Sequence, residues 1–446
     1  MSLKDFWHSL YLGKRLFFLL GGLVLLFVCG FFVPWCFVLA QSLLIILLAF
    51  LLADGLLLYK KKKPLYLKRH LPKLFSLSDF NKVDIEIENL LSFPVSVSLI
   101  DELPIQFQKR DFFLETHLQK GERQRLSYKL RPVQRGEYVF GALHAYLSSP
   151  LGLLQRRFSL EEEEVLPVYP SIIQMKRYAF LAFDRVGDRA GIRKVRRIGH
   201  SYEFDQIKEY VKGDDYRHIN WKATGRQNKL MVNHYQEERS QNIYCVLDKG
   251  RIMHMPFEGL TLLDYAINAS LALLNIVLLK HDKAGLITFS DKLGDVLMAD
   301  KKPSQLSAVL EALYDQHHRL VESDFELLYQ ATRMFVKHRS LLILFTNFES
   351  HHALERALPL LRRINLRHLL LVVFFENTEV EALAMQAVED VEGIYTRTHA
   401  QHLIHSKYEM VQKLQNYGIQ ALLVKPADLS VGVINKYLEL KARGLI

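Results

Sequence analysis

Cysteine is nearly missing from this chain: three residues in 446, with Cys29 and Cys36 inside an apolar run and Cys245 inside an apolar strand pattern. That excludes a disulfide framework, and no spacing matches a zinc site. A His-Glu-x-x-His pattern is also absent, which removes one common signature of metal-dependent hydrolysis. Charge itself is missing from Leu16 to Ala53, an uncharged run of thirty-eight residues made mostly of Leu, Phe, Val and Ile. Such a run belongs in a membrane.

As one straight helix the run would extend about 57 Å, nearly twice a hydrocarbon core of about 30 Å. Pro34 and Trp35 near its middle mark a break and an interfacial aromatic. The expectation is therefore a hairpin of two spans, Leu16 to Val33 and Phe37 to Leu58, within residues 1–63. Lys14 and Arg15 precede it and Lys60, Lys61, Lys62 and Lys63 follow it, which puts both ends on the cytoplasmic side. The run is too long for a signal-peptide core and shows no small-residue cleavage site before the second span, so an anchor is expected rather than a leader. Asp54 falls in the last turn of the second span, where its carboxylate can reach the interface, and it is given no functional weight.

A formal net charge of +10 invites a nucleic-acid reading, yet four of those charges are the lysines that flank the anchor. A second cluster, Arg185, Arg189, Arg193, Lys194, Arg196 and Arg197, suits anionic lipid, an acidic partner or RNA, but a solvated connector near the membrane is the preferred reading.

At this length two or three domains are expected. Residues 64–170 alternate as strands do, for example Val83-Asp84-Ile85-Glu86-Ile87-Glu88. Further runs at Val95 to Ile100, Arg125 to Leu130, Tyr138 to Tyr146 and Val165 to Tyr169, with Gly121, Gly136, Gly141 and Gly152 at turns, predict an immunoglobulin-like β-sandwich. Glu161 to Glu164 reads as an exposed tip.

From residue 242 to 446 strands alternate with helices: Ile243 to Leu247, Ala284 to Phe289, Leu341 to Phe345, Leu369 to Phe375 and Ala421 to Val424 are separated by helical patterns such as Leu262 to Leu279 and Leu429 to Ala442. This predicts a doubly wound α/β domain with a parallel sheet. Ligands gather at the carboxyl ends of such strands, which places Asp248, Ser290 with Asp291, and Thr346 with Asn347 on one candidate rim.

The connector, residues 171–241, holds the densest chemistry. Its stretch 208–232, KEYVKGDDYRHINWKATGRQNKLMV, crowds carboxylates and cations around one tryptophan. Asp214 and Asp215 after Gly213 suit a tight turn, and Trp221 supplies an apolar anchor. Three functional classes follow. A metal-dependent hydrolase would use Asp214, Asp215, His218 and His200, but the cations around His218 oppose a further cation. A single-stranded nucleic-acid module would use Trp221 with Lys222 and Arg226, but the carboxylates repel phosphate. An interaction protein needs neither, and it is the expected class: no catalytic residue and no cofactor is assigned, and no nucleic acid is expected. The histidines at 399, 402 and 405, and the pairs His317-His318 and His351-His352, read as surface residues.

The stretch resembles the signature of the family catalogued as domain of unknown function 58, on Glu209-Tyr210, Gly213-Asp214, Arg217, Ile219, Trp221-Lys222, Arg226 and Leu230 with Val232. Lys208 and Gly225 depart from the arginine and alanine common there. The resemblance implies a von Willebrand factor A-like domain for residues 242–446, and a MoxR-type AAA+ ATPase as partner at the cytoplasmic face of a bacterial membrane. Metal-binding A domains carry Asp-x-Ser-x-Ser after the first strand, because hydroxyls complete an oxygen shell. Here Asp248-Lys249-Gly250-Arg251-Ile252 stands in its place, with Thr346-Asn347 where an aspartate is frequent. A degenerate site at Asp248, Gly250, Ile252 and Asn347, holding no stable metal, is expected, with Lys249 and Arg251 bringing positive charge beside the would-be ion. Two roles stay open for Glu209, Tyr210, Gly213, Asp214, Asp215, Arg217, Trp221, Lys222 and Arg226. They form either a clasp, with a carboxylate holding Arg217 or Arg226 and Trp221 packed on the first α/β strand, or a docking face for a partner.

Overall fold

The computed structural model describes residues 3–109, 112–183, 203–212, 214, 216–236, 240–387 and 390–446. The chain is multi-domain and divides into two compact units, Met1–Tyr169 and Pro170–Ile446.

In the first unit the apolar run folds as two helices, Lys14–Phe32 and Pro34–Tyr59, each long and apolar enough to cross a membrane. Val33 between them is extended, and Pro34 opens the second helix, where its missing N–H costs nothing. The helices meet closely at Gly30, where an added Cβ would lie 2.9 Å from the Phe37 Cα. A small residue there lets the backbones approach.

Contrary to the expectation of a separate hairpin, the helix ends are built into the strand-rich part of the same unit. Asp54 is wholly buried, and its Oδ2 accepts from the backbone N–H groups of Leu153 at 3.1 Å and Leu154 at 2.9 Å. Arg156 donates to the carbonyls of Leu58, Lys61 and Lys62 at 2.7–2.8 Å, satisfying oxygens that the helix end leaves open. Arg15 donates to Pro150 and Leu151, and Leu10–Leu12 pairs as a strand with Leu154–Leu160. The reading of Asp54 as an interfacial carboxylate without weight is corrected by these contacts: the strands cover it.

The strands form one five-stranded antiparallel sheet (Leu10–Leu12, Leu154–Leu160, Leu143–Ser148, Val95–Asp101, Phe113–Leu118) and two three-stranded sheets. Alternation in Asn81–Asn89 does what a period of two requires, burying Val83, Ile85 and Ile87. The run expected at Tyr138 to Tyr146 is two strands, Gly136–Phe140 and Leu143–Ser148, parted where Gly141 and Ala142 bond to Glu102. Arg69, Asp101 and Tyr128 make a buried polar cluster, with Arg69 Nη1 2.7 Å from Asp101 Oδ1 and the Tyr128 hydroxyl on Oδ2.

The second unit is built on a six-stranded sheet in the order Leu293–Asp300, Lys283–Phe289, Asn242–Asp248, Leu341–Phe345, Leu369–Phe375, Gln420–Val424. Five strands are parallel, and Leu293–Asp300 runs antiparallel at one edge. Ile243, Cys245 and Leu247 pack into one apolar cluster with helices Leu262–Leu279 and Leu429–Ala442. Tyr244 and Val246 pack into a second cluster, with helices His351–Asn365 and Val391–Asn416. Burial of successive residues on alternate faces explains why these strands read as unbroken apolar runs. Helix Leu262–Leu279 is apolar enough for a membrane but is mostly buried in the domain core, started by a capping box of Thr261 and Asp264.

Candidate functional site

The strand order reverses direction beside Asn242–Asp248, so the ends of that strand and of Leu341–Phe345 flank a switch point, the usual place for a crevice. Asp248 sits there, 2% exposed. Its Oδ1 accepts from the Gly250 N–H at 2.8 Å and from the Ser323 hydroxyl, and its Oδ2 accepts from Thr346 Oγ1 at 2.7 Å. Burial pushes the Asp248 carboxyl up from its ordinary range, against the pull of these three donors. A carboxylate committed to three internal donors is oriented for hydrogen bonding rather than for an ion.

The other members of the expected metal loop do not complete a shell. Gly250 contributes its N–H, a donor, and Ile252 lies in a 3-10 turn, Arg251–His254, with no ligating side-chain atom. Asn347 is buried, and its Oδ1 accepts from Lys407 Nζ at 2.5 Å. The residues present therefore do not fit a divalent cation at Asp248. The charges placed beside the would-be ion lead elsewhere: Lys249 reaches Gly294, with Asp295 attracting it, and Arg251 pairs with Glu349 at 3.5 Å. Ser290 bonds Asp291, which pairs with Arg319 at 3.0 Å.

Ser323 and Lys407 escaped sequence reasoning. Ser323 lies seventy-five residues from Asp248 in a loop with no motif, and Lys407 is one of many polar residues on a long helix. Lys407 also donates to the Phe348 carbonyl at 2.6 Å, and burial pushes its amine down to about 8.

The signature stretch folds as a hairpin of Glu203–Glu209 with Met231–Gln236, forming its own two-stranded sheet. A 3-10 turn, Tyr216–His218, and a short helix, Trp221–Gln227, fill the connection. Asn220 caps that helix by accepting from the Ala223 N–H at 3.0 Å, and the Ile219–Val232 bridge ties it back to the hairpin. Asp214 accepts from Lys208 Nζ at 3.0 Å and the Val211 N–H at 3.1 Å; Glu209 pairs with Lys229. The Tyr210 N–H bonds the Leu230 carbonyl, and Arg217 lies over the Tyr216 ring. Gly213 and Asp215 lie outside the described residues, as do His200 and the basic cluster from Arg185 to Arg197.

Trp221 corrects the packed-anchor expectation: it is 72% exposed, at the first position of the seven-residue helix Trp221–Gln227. Lys222 and Arg226 are exposed on the same helix, and Tyr216 and Val211 are exposed beside it in the chain. Among the described residues, no group of three His, Cys, Asp or Glu side chains is placed to hold a metal ion. His399, His402 and His405 are exposed on helix Val391–Asn416, and the partner carboxylate missing from the sequence reading is Glu409, 3.3 Å from His405 and 2.9 Å from His351.

Residues 206–407 match the family described as "Protein of unknown function DUF58". The chain is similar to an uncharacterized protein, YeaD, of Bacillus subtilis (strain 168), 26% identical over 126 residues that make up 28% of this chain and 31% of that protein. It thus spans about a third of that curated relative's length. Among solved structures, the conserved hypothetical protein BatB of Bacteroides thetaiotaomicron is 16% identical with a TM-score of 0.30, covering 46% of this chain and 100% of that one. The SpRpn10 VWA domain is 13% identical with a TM-score of 0.29, covering 44% and 94%. Neither likeness is close enough to place a residue. The likeness to that family lies in residues 206–407, the signature hairpin and most of the α/β domain.

Proposed function

We propose that this protein is a membrane-anchored interaction factor without chemistry of its own, which receives a protein partner on the signature segment beside a doubly wound, von Willebrand A-like domain. The observation that carries the reading is Trp221, 72% exposed among exposed Lys222, Arg226 and Arg217. Tryptophan, tyrosine and arginine together are the composition of an interface centre. That favours a docking face over a clasp. The Asp248 rim supports the absence of metal chemistry, since its carboxylate is committed to Gly250, Ser323 and Thr346.

The lysines and arginine flanking the two apolar helices support an orientation with both ends, and so the rest of the chain, on the cytoplasmic side. The immunoglobulin-like reading of the strand-rich part fits a module that carries the partner domain at the membrane. The family resemblance makes a MoxR-type AAA+ ATPase the first partner to test. Co-purification from native membranes with Arg226→Ala is the experiment: recovery of the ATPase is lost while the stability, read by thermal melting, stays within about 0.5 kcal/mol of the parent's. Unchanged recovery, or turnover of a substrate by the pure protein, overturns the proposal.

A further inference from the structure

A cavity of about 380 Å³ opens at the carboxyl ends of strands Leu341–Phe345 and Leu369–Phe375. Phe257, Leu262, Phe375 and Met410 give it a buried apolar wall. Lys407 and Asn347 line it as well, joined by the bond from the lysine Nζ to the amide oxygen. The second acceptor of that ammonium is the Phe348 carbonyl, so both acceptors are neutral. Among the described residues no carboxylate lies within ion-pair distance of Lys407.

Three carboxylates stand at the cavity's edge, and each is engaged. Glu349 pairs with Arg251 at 3.5 Å, Glu381 with Lys425 at 2.8 Å, and Glu376 accepts from the Tyr408 hydroxyl at 3.2 Å. This half-buried cation is bonded to neutral acceptors and feels only the more distant pull of Glu349, itself paired with Arg251, so burial prevails and lowers its proton affinity. One lysine, with no arginine fork on the wall and acidic groups at the mouth, suits a single negative charge and not a phosphate. The volume falls in the range of small-ligand pockets, at the low end.

We propose that this cavity binds a carboxylate carrying an apolar body, with Lys407 receiving the charge and Phe257, Leu262, Phe375 and Met410 receiving the body. The site occupies the rim next to Asp248, and the protein's own ammonium supplies there the positive charge that an ion would otherwise bring. It needs neither Trp221 nor the partner that docks on it, so either can fail without the other.

The test is competitive acylation of the full chain in nanodiscs, with the rate at each lysine resolved by mass spectrometry. N-acetyl-leucine slows acylation of Lys407 several-fold relative to the other lysines, whereas N-acetyl-leucine amide and acetate leave it unchanged. An acetylated tripeptide ending in leucine that protects more strongly assigns the carboxylate to a chain end, and equal protection assigns it to a free small molecule. Lys407→Met, folded by thermal melting, loses ligand-detected NMR contact with N-acetyl-leucine. Protection by the amide equal to that by the acid, an unchanged Lys407 rate with the acid, or full binding by Lys407→Met overturns the inference. Should that variant fail to fold, the labelling contrast in the parent chain decides alone.

Discussion

Replacing Asp248 separates a hydrogen-bonded carboxylate from a metal ligand. In Asp248→Ala the Gly250 N–H and the hydroxyls of Ser323 and Thr346 lose their acceptor in a buried place. At about 1 kcal/mol net per hydrogen bond, less the relief of no longer burying a charge, the expected cost is about 2–3 kcal/mol. For a unit of this size that corresponds to roughly 2–4 °C in melting temperature per kcal/mol. Asp248→Asn keeps an acceptor for Gly250 and Ser323, and the Thr346 hydroxyl turns from donor to acceptor, so the loss stays under about 1 kcal/mol. The pH dependence follows from the raised carboxyl. Stability contributed by the protonated form is complete below the unfolded value near 4 and is lost as pH rises through the higher folded one. The parent therefore gains on Asp248→Asn as pH falls toward 4. Fluorescence-detected melting of the full chain in detergent, with hydrogen exchange across Asn242–Asp248 as a local check, reads both effects. The reasoning is refuted if Asp248→Asn is as damaging as Asp248→Ala, or if a chelator lowers the parent's melting temperature.

Three further substitutions test the first unit. Arg156→Ala orphans the carbonyls of Leu58, Lys61 and Lys62 where the second apolar helix ends, and a loss of about 3 kcal/mol is expected, seen as faster proteolysis after Lys63; equal cleavage would show that the joint is slack. Asp101→Ala leaves the buried Arg69 guanidinium without its main counter-charge and is expected to cost about 3–5 kcal/mol, more than Tyr128→Phe, which removes one hydrogen bond at about 1 kcal/mol; comparable melting shifts for the two would contradict the cluster's role.

Much of this architecture is legible because burial writes it into the sequence. Strands Asn242–Asp248 and Leu369–Phe375 are apolar on both faces, so they stand out as runs, and Pro34 marks its own helix break. The edge strand Leu293–Asp300 left no such mark because none of its residues is buried and Gly294, Asp295 and Asp300 break its apolar run. Asp54 and Arg156 were silent for another reason: their partners are backbone groups about one hundred residues away, and a backbone partner leaves no residue type to notice. The rim was half visible. Asp248 and Asn347 follow from strand ends, but Ser323 and Lys407 reach them from a loop and a helix whose local patterns carry no trace of the contact. In the signature segment composition identified the residues but not their exposure, since a tryptophan is more often packed than presented.

Site-specific photocrosslinking at position 221 in native membranes tests the central claim most directly. With the photoreactive residue in place of Trp221, which stands 72% exposed, a protein adduct containing one discrete partner is predicted, competed away by excess parent chain. An AAA+ ATPase in that adduct would identify the expected partner. Labelling of lipid or solvent alone, with a partner recovered equally well by a chain whose Trp221 and Arg226 are both alanine, would contradict the account.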